Sequence, residues 1–379
     1  MIRLAILSSS RADFGIYLPM LRRLQEHKDI VVDLIVFGTH LSKNHGHTIE
    51  DIYQEGFEAK YKIVSMLQTD DPESIATAYA LTSLKFSGFW CEHHNDFDVV
   101  FCLGDRYEMA AAVNAGIPFN IKFAHLYGGE TTLGAIDNIY RNQISLASHY
   151  HYVSLEKYAE RVQGLVGDDA QCIVIGSLSL ENLDDINLLN LDDFSLKWKI
   201  DLSIPTILTT VHPETVAYDK NAVYAEIMYN TLSELCDDHQ IVISMPNADT
   251  NGVLFRLAFE KLKKRHSDRI HLVENFGSQG YLSCMKHCDF LLGNTSSGII
   301  EAASFGKYVI NLGDRQKGRI TGENVLHTPF NRDIILSTVR SISGKRFDGL
   351  NIYQRSWPSR RIIEDLRRKL STNQETDSK

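Results

Sequence analysis

The chain has 379 residues, 44% of them hydrophobic, with 39 Lys and Arg against 48 Asp and Glu and a formal net charge of −9. That length exceeds the usual reach of one hydrophobic core and predicts two domains, and the apolar fraction is that of a globular protein, not a disordered one. No apolar run approaches the roughly 18 residues of a membrane span, and the positive residues are interspersed with acids, so a soluble cytoplasmic protein with no membrane or nucleic-acid partner is expected.

The opening run IRLAILSSS reads as a strand, and a helix-length amphipathic segment follows it. The same alternation recurs at IVVDLIVFGTH, FDVVFCLGD and FNIKFAHLYGG, each a short apolar run ending in Gly, Ser, Asp or His. After LDDFSLKWKIDLSIP it restarts with TILTTVHPET, QIVISMPNAD, RIHLVENF, CDFLLGNTSSG and KYVINLGD. Repeated strand and helix alternation is the mark of parallel βαβ units, so the predicted class is α/β with two Rossmann-like, doubly wound domains. The expected division is 1–176, 177–355, and a terminal helix with a polar tail over 356–379. Open parallel sheets bind ligands outside the carboxyl ends of their strands, which places the expected site in a cleft between the two domains.

The six cysteines, Cys91, Cys102, Cys172, Cys236, Cys284 and Cys288, lack CxxC spacing and are expected as buried free thiols. Cys284 and Cys288, with His287, offer too few soft ligands for a tetrahedral metal site, so no metal is expected. Neither a strand-linked GxGxxG nor a GxxxxGK[ST] occurs, which argues against a nicotinamide dehydrogenase and a P-loop ATPase.

Polar clusters stand at the strand ends. SSSRADFG sets Arg11 and Asp13 where serine-rich backbone and a helix start can meet an anion, or form an ordinary turn. LGDRYE puts Asp105 and Arg106 after a buried strand, as site residues or as a structural ion pair. HLYGGETTLGAIDNIYR supplies His125, Glu130, Asp137 and Arg141, a concentration of carboxylates suited to proton transfer. Asp137 and Arg141 are also spaced as a surface helix salt bridge, and spacing alone does not separate the readings. TTVHPET adds His212 and Glu214, and LGNTSSGIIEAASFG adds Thr295, Ser296, Ser297, Gly298 and Glu301. An N-cap accounts for one of those hydroxyls but not three in a row, and a diphosphate is the natural guest. HYHY, from His149 to Tyr152, and His93 with His94 read as structural histidines. GDRQKGRITGEN is a locally basic turn carrying Arg315, Lys317 and Arg319.

Taken in order, SRADFG, LGDRYE, GGE with D…R, HPET, PNAD, GNTSSGIIE and GDRQKGR resemble the hydrolysing UDP-N-acetylglucosamine 2-epimerase family, from about residue 3 to residue 340. The resemblance implies a GT-B-like fold, a UDP-sugar substrate with UDP as product, no organic cofactor, and a homodimer or homotetramer. Carried onto matching positions, it implies UDP contacts from Arg11, Arg106, His212, Asn247, Thr295, Ser296, Glu301 and Arg315, with Glu301 on the ribose hydroxyls. The implied catalytic acids and bases are Asp105, Glu130 and Asp137, with Arg141 and His212 supporting charge at the leaving diphosphate. The implied reaction removes the C2 proton as UDP leaves C1, giving a 2-acetamidoglycal that adds water to yield the free 2-epimer. UDP-N-acetylglucosamine going to N-acetylmannosamine in sialic-acid synthesis is the leading substrate, and UDP-N,N'-diacetylbacillosamine of legionaminic-acid synthesis is its rival. A GT-B glycosyltransferase is the alternative of another class. The chain departs from relatives at Tyr127, Asn138 and Asn142, where some carry acids or histidines, which leaves Asp137 as the only carboxylate of its turn. YGGETTLG in place of an EAGLRTG-like passage disfavours a non-hydrolysing epimerase.

Overall fold

The computed structural model describes residues 1–42, 47–67, 71–133, 136–181, 183, 186–214, 218–245 and 252–376. The apolar runs become strands of two wholly parallel sheets, with helices between successive strands except the last two of the second sheet. The first sheet holds β1 (Ile2–Ser8), β2 (Ile30–Phe37), β3 (Ala59–Ile63), β4 (Val99–Leu103), β5 (Phe123–Leu126), β6 (Ser148–Val153) and β7 (Cys172–Val174), in the order β3-β2-β1-β4-β5-β6-β7. The second holds β8 (Thr206–Thr210), β9 (Gln240–Ser244), β10 (Ile270–Val273), β11 (Phe290–Gly293), β12 (Val309–Leu312) and β13 (Val325–Thr328), in the order β10-β9-β8-β11-β12-β13. The expected pair of doubly wound α/β units is present.

Interior strands read as unbroken apolar runs because both of their faces are covered. Side chains alternate across a strand, so Leu4 and Ile6 of β1 enter one core with Phe101 and Leu103 of β4. Ala5 and Leu7 enter the opposite core with Val100, Cys102, Phe86, Trp90 and Met109. Buried Trp90 satisfies its indole N–H on the Ala112 carbonyl at 2.9 Å.

By contacts the chain forms two compact units, one of Met1–Glu130, Asp137–Asn182 and Tyr353–Lys379, the other of Thr131–Ile136 and Leu183–Ile352. The terminal helix Pro358–Thr376 thus belongs with the first sheet, where Ile362, Ile363 and Leu366 join the core of Leu4 and Ile6. Tyr152 of β6 donates to Asp365 Oδ2 at 3.0 Å, and Arg23 Nε donates to Ser359 Oγ at 2.8 Å.

In each unit the strand order reverses once, between β1 and β4 and between β8 and β11. Connections leave these neighbouring strands toward opposite faces of the sheet, which opens a crevice at their carboxyl ends. Among the described residues, no helix is long and apolar enough to cross a membrane.

Candidate functional site

In the first unit the crevice at β1 and β4 is built from three turns. β4 is followed by Gly104, whose φ of +74° turns the chain so that Asp105 comes next beyond the strand end. His125 of β5, fully buried, donates from Nε2 to the Gly104 carbonyl at 2.9 Å and lies 3.0 Å from Ser145 Oγ through Nδ1. Donation to a carbonyl fixes the neutral tautomer, and burial lowers the pKa of this imidazole to about 3.

Arg141, only 2% exposed, draws the turns together. Its Nη2 bonds Asp105 Oδ2, while Nη1 donates to the Glu130 carbonyl at 2.8 Å and to Asn138 Oδ1 at 3.2 Å. A buried guanidinium with these partners is not the exposed i, i+4 pair with Asp137 that spacing also allowed. Glu130 is buried and its Oε1 accepts from Ser154 Oγ at 3.1 Å. The glycines before it serve close packing: at Gly129, with φ +75°, a Cβ would sit 2.3 Å from the Tyr158 carbonyl. Asp137 opens the helix Asp137–Leu146 and is half-buried.

Tyr127, one of the departures from relatives, adopts φ +66° and turns its ring into the core. Its hydroxyl accepts from Leu178 N at 2.8 Å and lies 3.2 Å from Ser177 Oγ, so this side chain is structural.

The serine turn after β1 is closed by its own acid. Asp13 Oδ2 accepts from Ser9 N at 2.9 Å, Ser9 Oγ at 2.6 Å and Ser10 N at 3.1 Å, and Ser10 caps the helix Arg11–Gln25. The anion position at that helix start is therefore filled by a side chain, and Arg11 remains exposed. Arg106 pairs with Glu108 at 2.8 Å, not with Asp105, and this buried carboxylate holds the guanidinium pKa above its ordinary value. Glu108 is fully buried, with Oε2 lacking a hydrogen-bond partner. Sequence reasoning passed over it, although an acid in the first turn of the helix Tyr107–Gly116 beside an arginine was a usable signal. His40, in the turn after β2, is buried between Ser8 Oγ and Thr48 Oγ1 at 2.9 Å each, and burial lowers its pKa to about 4.

In the second unit the polar groups follow β8, β11 and β12. Gly293 lets β11 approach β8 closely, because a Cβ there would lie 2.0 Å from the Thr210 carbonyl. Asn294, fully buried, accepts from His212 N at 2.7 Å through Oδ1 and donates to His212 O at 2.8 Å through Nδ2. Its carbonyl accepts from Arg315 Nη1 at 3.1 Å and Gln316 Nε2 at 3.0 Å. Thr295 caps the short helix Ser296–Ile300, accepting from Ser297 N at 3.4 Å, and buried Glu301 ends it. Thus the structure brings His212, Thr295, Ser296 and Arg315 onto neighbouring strand ends of one sheet, with Glu301 at the far end of the short helix that follows β11.

Glu214 is a loop staple. Buried, it accepts from Asp314 N at 2.6 Å, and Asn221 bonds both its backbone N and O, at 3.0 and 2.9 Å. Lys317 forms an exposed pair with Asp314 at 3.3 Å. Asn247 and the rest of PNAD lie outside the described residues. An open polar depression lined by Asn230, Ser233, Glu234, Arg265, His266 and Arg332 includes none of these groups.

All six cysteines are free. Four are buried and Cys172 is half-buried, but Cys91 is exposed, because its position on the helix Pro72–His93 faces outward, contrary to the expectation that all would be buried. Burial pushes the Cys288 thiol up to about 12. Among the described residues no group of three or more His, Cys, Asp or Glu is placed to hold a metal ion.

Residues 22–367 match the family model described as UDP-N-acetylglucosamine 2-epimerase. The chain is 34% identical over 329 residues, 87% of its length and 85% of the relative's, to the GDP/UDP-N,N'-diacetylbacillosamine 2-epimerase (hydrolysing) of Campylobacter jejuni subsp. jejuni. It is 32% identical over 343 residues, 90% of its length and 89% of the relative's, to the UDP-N,N'-diacetylbacillosamine 2-epimerase (hydrolysing) of Legionella pneumophila subsp. pneumophila. The fold is shared with the UDP-GlcNAc 2-epimerase of Neisseria meningitidis solved with UDP-GlcNAc, at TM-score 0.79 and 18% identity, covering 97% of this chain and 100% of that one. It is shared as well with the S. aureus MnaA protein solved with UDP, at TM-score 0.80 and 16% identity, covering 98% and 97%.

Proposed function

This chain belongs to the UDP-N-acetylglucosamine 2-epimerase family, and we propose that it is a hydrolysing member, releasing UDP and a free 2-epimerised acetamido sugar from a UDP-sugar. The observation that carries the reading is the gathering of Asp105 and the Glu130 backbone on the buried guanidinium of Arg141 at one set of strand ends. The C2 proton of a sugar is weakly acidic, so its removal needs a placed base and a leaving group stabilised as it departs. Glu130 and Asp137 are assigned the proton transfers, and Asp105 acts with them in an orientation set by Arg141. His212 and Arg315, with Arg11 and Arg106, are assigned to charge on the diphosphate. Thr295, Ser296 and Asn247 complete the nucleotide contacts, and Glu301 takes the ribose hydroxyls. Departure of UDP as the C2 proton leaves gives a 2-acetamidoglycal, to which water adds at C1 and a proton at C2.

Of the two substrates, UDP-N,N'-diacetylbacillosamine gains support from the names of relatives at 34% and 32% identity, and UDP-N-acetylglucosamine is the reading it competes with. A cytoplasmic homo-oligomer belongs to the same proposal. Incubating the purified chain with each UDP-sugar and no acceptor tests the reaction class. UDP release supports the epimerase, and release only on adding an acceptor alcohol would identify a glycosyltransferase instead.

A further inference from the structure

The end of β11 carries a residue whose every polar group faces protein. Asn294 N donates to the Thr210 carbonyl at 3.1 Å, its side-chain oxygen and nitrogen clasp both backbone groups of His212, and its carbonyl accepts from Arg315 and Gln316. Five hydrogen bonds thereby tie the end of β8, where the strand order reverses, to β11 and to the basic turn after β12. With each amide atom bonded to backbone and no exposed surface, this side chain does not serve as a ligand contact.

We propose that Asn294 is a positioning residue that sets His212 and Arg315 in register for the diphosphate, which rests on the reading of the second unit as the UDP side. Amide chemistry is required because the clasp needs one acceptor and one donor at fixed positions. Leucine supplies neither, and a carboxylate supplies two acceptors, one of them aimed at the His212 carbonyl. A protonated carboxyl restores the pattern, since its O–H donates where Nδ2 did.

That difference gives a test by pH. UDP affinity is measured by calorimetry for the wild type, Asn294→Asp and Asn294→Ser at about pH 8 and about pH 5.5, beside a melting curve for each. Each variant is compared with the wild type at the same pH, which cancels the titration of UDP itself. For Asn294→Asp the expected loss is about tenfold at the higher pH, recovering to within about threefold at the lower. Asn294→Ser, which introduces no charge, is expected to lose about tenfold at both. Wild-type affinity in Asn294→Ser overturns the proposal, as does an Asn294→Asp deficit that does not shrink as the carboxyl protonates. If Asn294→Asp fails to fold at the higher pH, Asn294→Ser alone decides. A folded wild type that binds no UDP would instead refute the function proposed above.

Discussion

Arg141→Lys removes the planar fork from a site that needs it. The guanidinium is 2% exposed and divides its two terminal nitrogens among Asp105, the Glu130 carbonyl and Asn138, whereas one ammonium on a shorter reach satisfies one of these positions. Asp105 is 25% exposed at its side chain and recovers some hydration, but the Glu130 carbonyl loses the bond from Arg141. Losing one charge-assisted and one neutral-acceptor bond in this setting is expected to cost about 2–4 kcal/mol of stability. Because the same bonds hold Asp105 and Glu130 in place, turnover is expected to fall by about 10²-fold while UDP affinity stays within about threefold. The assay pairs urea unfolding with initial rates of UDP release and with UDP titration. Wild-type stability and rates within about threefold of wild type would refute the claim that this arginine organises the first unit's strand ends.

Other outcomes follow from individual contacts. Glu130→Gln and Asp137→Asn are each expected to lower turnover by about 10²-fold with UDP affinity little changed, read by steady-state kinetics and UDP titration. Gly313→Ala places a Cβ 2.3 Å from Glu214 Oε1 at a φ of +66°, so it is expected to break the Glu214 bond to Asp314 N and cost about 2–3 kcal/mol in urea unfolding. Burial lowers His40 to about 4, His125 to about 3 and His151 to about 4, against about 6.5 unfolded. The folded state therefore binds fewer protons below pH ~6.5, and stability is expected to fall from there toward pH ~4 by about 2 kcal/mol per histidine at pH ~5, read as a lower urea midpoint than at neutral pH. An unchanged or higher midpoint at pH ~5 would contradict the sign.

Much of the sheet was legible because buried parallel strands are apolar on both faces, as VVFCL and FLLG show. The strands that escaped notice lack a long apolar run. β3 (AKYKI) alternates lysines at an edge, β6 (SHYHYV) hides its pattern among histidines, β7 has three residues, and β13 (VLHT) has four. The candidate residues were legible as polar groups at strand ends, but their partners were not. Asp105 meets Arg141 across 36 residues, and Arg106 turns to Glu108, two places on, rather than to its sequence neighbour. Asn294 went unassigned because a single amide in GNTSSG gives no sign that His212, 82 residues away, needs both ends of it. Pairings of that kind arise from tertiary contact and leave no local period in the chain.

The central claim is tested most directly by NMR of the purified chain in deuterated water with UDP-N-acetylglucosamine and, separately, UDP-N,N'-diacetylbacillosamine. The account predicts release of UDP from one of them, with deuterium at C2 of a free, 2-epimerised sugar. Intact UDP-sugars, or release of a free sugar that keeps its original C2 configuration and proton, would contradict it.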